Sequence, residues 1–142
     1  MIPPFDIAGH LPEGLHPAEE SEITFRFGSS SASRRRLTLR LRRWINLARQ
    51  VGARRFLVDG SFVTAKLDPG DIDAVILLPL NFNSQIMDNR EEAIELEHML
   101  LTRQPEELFA AEDEDDWNAW FEFFSRTRLS DGRRKGLVEV KL

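Results

Sequence analysis

The chain has 142 residues, 42% hydrophobic and 30% charged, which suits one ordinary core inside a well-solvated surface and excludes disorder as its main theme. No run nears the roughly 18 to 20 apolar residues of a membrane span; Met1 to Asp6 offer no basic or apolar leader; and the absence of cysteine removes disulfides, thiolate metal sites and thiol catalysis. Net charge is −5 but sorted: Arg34 to Arg55 carries nine arginines and no acid, and Asp88 to Asp116 carries twelve acids against Arg90 and Arg103. A cytoplasmic protein with no membrane partner is expected. Its basic stretch suits phosphates, RNA or an acidic partner, while the acidic total argues against broad coating of nucleic acid.

Residues 1–30 read as an extended arm punctuated by Pro3, Pro4, Pro12, Pro17, Gly9, Gly14 and Gly28. Within it Glu22 to Phe27 alternates apolar and polar, the pattern of a short strand or an arm lying on the core. His10 and His16 lack a third partner at a metal-ligand spacing, so a structural role is favoured for both. The core then spans residues 31–142 as a single domain. Ser29 to Ser33 offers hydroxyl caps for a helix running to Val51, with Gly52 as its stop. Leu37, Leu41, Trp44, Ile45 and Ala48 fall on one face of it; Arg35, Arg36, Arg40, Arg42 and Arg43 fall mostly elsewhere, as a solvated face would.

Arg55 to Asp59 reads as a buried strand entering Gly60-Ser61, and Ile72 to Leu78 as a second, ended by Pro79. A helix follows over Asn89 to Leu101, then a third strand over Glu107 to Ala111. Asp115 or Asp116 caps a helix with Trp117, Trp120, Phe121 and Phe124 at the i, i+3, i+4, i+7 spacing, an apolar stripe for packing. The end holds a turn (Ser130-Asp131-Gly132), a basic patch (Arg133, Arg134, Lys135) and a strand from Leu137 to Leu142. Strands and helices interleave, so the class is mixed α and β.

The chemistry concentrates in residues 57–73. A strand ends in Gly60-Ser61, where a bare backbone admits a phosphate and a hydroxyl can bond it. After a loop, Asp71 and Asp73 stand two apart at the start of an apolar strand, a spacing that aims both carboxylates at one spot. Two carboxylates at one spot repel unless a cation lies between them. Mg²⁺ takes one or two carboxylates together with substrate phosphates.

This pattern resembles the nucleotidyltransferase superfamily of the DNA polymerase β type, whose signature of strand, Gly-Ser, spacer and acid–apolar–acid is met by Gly60, Ser61, Asp71, Ile72 and Asp73. More loosely, Gly9-His10-Leu11-Pro12, Gly14-Leu15-His16 and Lys135 to Val140 look like a small, largely uncharacterised bacterial branch of it. The resemblance implies an α+β minimal nucleotidyltransferase fold, a short mixed sheet flanked by helices. It implies Mg²⁺ or Mn²⁺ on Asp71, Asp73 and a third carboxylate. Glu107 comes in the expected order for that role, and Glu139, in Val138-Glu139-Val140, competes with it. It further implies transfer of a nucleoside monophosphate from an NTP such as ATP to a hydroxyl of a protein or RNA acceptor. Gly60 and Ser61 would hold the phosphates, helped by Lys66, Arg133, Arg134 or Lys135. Small stand-alone members often pair with a protein partner in toxin–antitoxin or phage-defence settings, and a catalytically inactive binding or antitoxin module of the same fold is the alternative. Asp71 with Glu139-Val140-Lys141 also mimics the acid triad of Mg²⁺-dependent nucleases, a minor alternative.

Overall fold

The computed structural model of the chain describes residues 1–102, 107–127 and 132–142. Among them are five strands, β1 (Leu15–Ala18), β2 (Arg55–Asp59), β3 (Asp73–Leu77), β4 (Leu108–Ala111) and β5 (Leu137–Val140), in the sheet order β1-β5-β2-β3-β4. β2 runs antiparallel to β3 and β5, whereas β1 with β5 and β3 with β4 are parallel. Five α-helices accompany them: α1 (Glu20–Phe27), α2 (Ala32–Val51), α3 (Phe82–Met87), α4 (Glu91–Thr102) and α5 (Glu114–Ser125). The class is therefore α+β, with a short mixed sheet flanked by helices. No helix of the described residues is long and apolar enough to cross a membrane.

Local chemistry explains most of these boundaries. Ser31 caps α2 by accepting from Arg34 N at 3.2 Å, and Gly52, at φ 77°, closes it in the left-handed conformation that glycine adopts freely. Leu37, Leu41, Trp44, Ile45 and Ala48 are all buried, as their spacing requires. Asp113, two or three residues earlier than the expected Asp115 or Asp116, caps α5 by accepting from Asp116 N at 2.8 Å. The strands over Arg55–Asp59 and Leu108–Ala111 and the helix over Glu91–Thr102 lie where the patterns put them.

The arm departs from expectation. Glu22 to Phe27 is not a strand: it belongs to helix α1, because Ile23 and Phe27, four apart, are both buried while Phe25 between them is 88% exposed. Nor is the arm a loose extension. β1 adds an edge strand beside β5, a position that tolerates Pro17. Arg26 donates to Ile2 O and Pro3 O and lies over the Phe5 ring. Gly136 N donates to Leu11 O at 2.8 Å, and a side chain at Gly136 would collide with Pro12 O. The expected turn at Ser130 and Asp131 lies outside the described residues.

Side-chain alternation divides the interior into two layers. Phe56, Val58, Ala74, Ile76, Val138 and Val140 face α1, α2 and α4, in the cluster that contains Trp44 and Leu96. Leu57, Val75, Leu77, Phe109 and Leu137 face α5, packing against Trp117 and Phe124. The site lies at one end of this second layer.

Candidate functional site

The period of two that sends Leu57 and Val75 toward α5 sends Asp59 and Asp73 to the same face, one step beyond the apolar layer. Antiparallel register sets Asp59 directly opposite Asp73. The parallel register of β3 and β4, Ala74 with Leu108, brings Glu107 alongside; its carbonyl accepts from Ala74 N at 3.2 Å. Asp71 precedes β3 by two residues. Four carboxyl groups thus gather where β2 ends and β3 and β4 begin.

Two of them are buried: Asp59 is 2% exposed and Asp73 9%. Burial first, then the charges of Asp71, Asp59 and Glu107 and a hydrogen bond with Glu107, push the Asp73 carboxyl up to about 8. Burial also raises Asp59, against the pull of Lys135. Lys135 Nζ stands 3.0 Å from Asp59 Oδ1, an ion pair at an angle that leaves this buried oxygen without an aligned hydrogen bond. Lys135 pairs with Asp59, while Asp73 is pressed by three other carboxyls.

The neighbouring turn already holds an anionic oxygen. Gly60, at φ 91°, leaves little room for a Cβ, which would lie 3.0 Å from Asp73 N and 3.1 Å from Ile72 Cα. The turn aims Ser61 N at Asp71 Oδ1, 2.8 Å away, and the Ser61 hydroxyl donates to that same oxygen. Beyond it, residues 62–66 are tied down by Arg34, which is 4% exposed. Its guanidinium donates to Phe62 O and Thr64 O at 2.7 Å, Lys66 O at 2.5 Å and Phe27 O at 3.1 Å. Thr64 Oγ1 donates to Ser61 O at 2.6 Å, and Ala65 N to Gly9 O at 2.8 Å, so the arm is fastened to the same loop.

These groups line a cleft of about 1210 Å³, larger than the ~300–1,000 Å³ of ordinary small-molecule sites. Gly60, Ser61, Lys66, Asp71, Asp73 and Lys135 line it; Arg133 and Arg134 are not among its lining residues. Arg134 is instead ion-paired to Glu122 of α5 at 2.5 Å. Glu107 stands at the edge of the cluster, beside Asp73. Glu139 lies opposite Leu57, further along the sheet, gripped by Arg55 through Oε2 at 2.7 Å and Oε1 at 2.9 Å. Lys141, the lysine of the nuclease-like triad, is exposed and 3.9 Å from Glu19. His16 bonds Pro12 O at 2.6 Å, a structural contact, whereas His10 lines the cleft.

Asp59, which carries no role in the sequence reading, is the most deeply buried acid here; its signal is an acid inside an apolar strand, immediately before Gly-Ser. Phe124, read only as packing, also lines the cleft, as does Phe123, which lies outside the apolar stripe of α5. As the side chains stand, no three His, Asp or Glu groups among the described residues are disposed around a single ion. Asp71 is turned to Ser61 instead.

Residues 3–141 match the model of a family of unknown function (DUF6932), and the chain belongs to that family. No curated protein and no solved structure matches it.

Proposed function

We propose that this member of a family of unknown function is a metal-dependent nucleotidyltransferase, moving a nucleoside monophosphate from an NTP to a hydroxyl of a protein or RNA acceptor. The observation that carries the reading is the meeting of Asp71 and Asp73 with the Gly60-Ser61 turn in one cleft, with Glu107 beside Asp73. A divalent cation fits that donor set: the ligands are hard oxygens, and Asp71, Asp59 and Glu107 crowd their charges on Asp73. Asp71, Asp73 and Glu107 would hold Mg²⁺ or Mn²⁺. Bound there, the ion would offset the triphosphate's charge and make the acceptor hydroxyl more acidic.

The chain's own groups supply the rest. Ser61 now offers its N–H and hydroxyl to an Asp71 oxygen, a geometry equally suited to a phosphate oxygen. With Asp71 turned to a cation, both donors would be available to the β- and γ-phosphates, so cation and triphosphate would favour each other's binding. Lys66 adds charge from the loop that Arg34 holds. Glu107 takes the acceptor's proton as the hydroxyl oxygen attacks the α-phosphorus and pyrophosphate leaves.

A second reading, an inert module of the same fold that docks on a partner, is favoured by one observation. Asp71 is satisfied by Ser61, and Lys135 by Asp59, without any ligand. Thermal melts with ATP, GTP, CTP and UTP, each with and without Mg²⁺ or Mn²⁺, separate the two. Ligand at 100 times its dissociation constant adds about 2.7 kcal/mol to the native state. The transferase reading expects a metal-dependent shift that Asp71→Asn/Asp73→Asn abolishes; no shift with any nucleotide rejects it.

A further inference from the structure

The cleft has two chemically different ends. One is the carboxylate corner with Ser61 and Lys66; the other is a wall made by the end of α5 and the residues just after it, Phe123, Phe124, Arg126 and Thr127. Phe123 is the unusual member. Helix α5 buries Trp117 and Phe124 in the layer beneath the sheet, yet leaves Phe123 57% exposed. Its ring is not loose: it meets Phe124 at 5.1 Å and 79°, and Trp120 at 6.1 Å and 87°. Edge contacts of this kind fix an aromatic ring's orientation while leaving much of its surface uncovered. Exposure alone does not single it out, since Phe25 and Leu80 are more exposed. Those two do not line the cleft, and Phe123 does.

A ligand that spans such a cleft needs an anionic, metal-bound end and a flat, apolar end with polar edges. Nucleotides have that composition. We infer that Phe123 is the platform on which the nucleobase stacks, with Arg126 and Thr127 placed at the base's hydrogen-bonding edge. This inference rests on the nucleotide reading of the carboxylate corner and names the subsite that the reading leaves open. The aromatic helix that packs the sheet presents this one ring to the cleft.

The test is calorimetric titration of Mn²⁺–ATP and of Mn²⁺–tripolyphosphate, which has no base, into the wild-type chain, Phe123→Ala and Phe123→Trp. Removing a stacking ring weakens binding by about 5- to 150-fold per base. The expected result is a loss of that size for ATP in Phe123→Ala, recovery in Phe123→Trp, and unchanged tripolyphosphate binding in all three. Equal ATP affinity in wild type and Phe123→Ala, with tripolyphosphate still bound, overturns the platform and leaves the nucleotide reading standing. Loss of both ligands in Phe123→Ala overturns the platform as well, since the ring's role is then structural. A wild-type chain that binds neither ligand removes the nucleotide reading and the platform together.

Discussion

Replacing Asp73 with asparagine is expected to stabilise the metal-free protein at pH 8 and to leave it nearly unchanged at pH 4. The native carboxyl titrates near 8 against an ordinary value of 3.8. Between those limits the unfolded chain has released this proton and the native chain has kept it, so native stability falls as pH rises, and above about pH 8 the loss is complete. One pKa unit is worth about 1.36 kcal/mol, which sets a ceiling near 6 kcal/mol for the whole shift. Asp73 lines an open cleft where water reaches the carboxyl, and the discounted effect is about 2 kcal/mol. For 142 residues that corresponds to a rise of about 6 °C in melting temperature. Thermal or urea melts of wild type and Asp73→Asn from pH 4 to pH 9 in chelator measure it, because groups common to both proteins cancel in the difference. Parallel curves, or a variant weaker than wild type at pH 8, would refute the argument that burial and neighbouring carboxylates make the ionised form of Asp73 costly in the native state.

Other substitutions probe the supports of the site. Lys135→Met strands Asp59 in a buried position and is expected to cost about 3 kcal/mol in urea unfolding; adding Asp59→Asn should recover most of it. Arg34→Lys cannot serve four carbonyls with the same planar fork, and a loss of about 2–3 kcal/mol is expected, with faster amide exchange confined to residues 61–66. Ser61→Ala removes one donor to Asp71 from an exposed position and should change stability by less than about 1 kcal/mol, while weakening Mn²⁺–ATP binding in calorimetry.

Much of this architecture is legible in the sequence because the decisive patterns are local. α2 carries its cap, its apolar face and its glycine stop within one stretch, and β2 and β3 are short apolar runs bounded by turn residues. α1 is ambiguous in the sequence for a physical reason: Ile23, Phe25 and Phe27 satisfy a period of two, and Ile23 with Phe27 satisfies a helical i, i+4 pair equally well. Only packing, which buries the pair and exposes Phe25, decides between them. The competition between Glu107 and Glu139 is likewise invisible locally, since both acids stand among apolar strand residues. Register separates them, placing Glu107 beside Asp73 and Glu139 beside Arg55. Asp59 reads as the polar end of a strand until antiparallel pairing sets it across from Asp73. Of the basic tail, Arg134 meets Glu122 and Lys135 meets Asp59, an outcome that depends on where α5 and β5 lie.

The most direct test of the central claim is a crystal of the wild-type chain grown with Mn²⁺ and a non-hydrolysable ATP analogue, read by the anomalous scattering of manganese. The account predicts a manganese peak within coordination distance of Asp71 and Asp73, with Asp71 turned away from Ser61 and the analogue's phosphates on the Ser61 N–H and hydroxyl. A map with no manganese at the carboxylates, and Asp71 still bonded to Ser61, would contradict it.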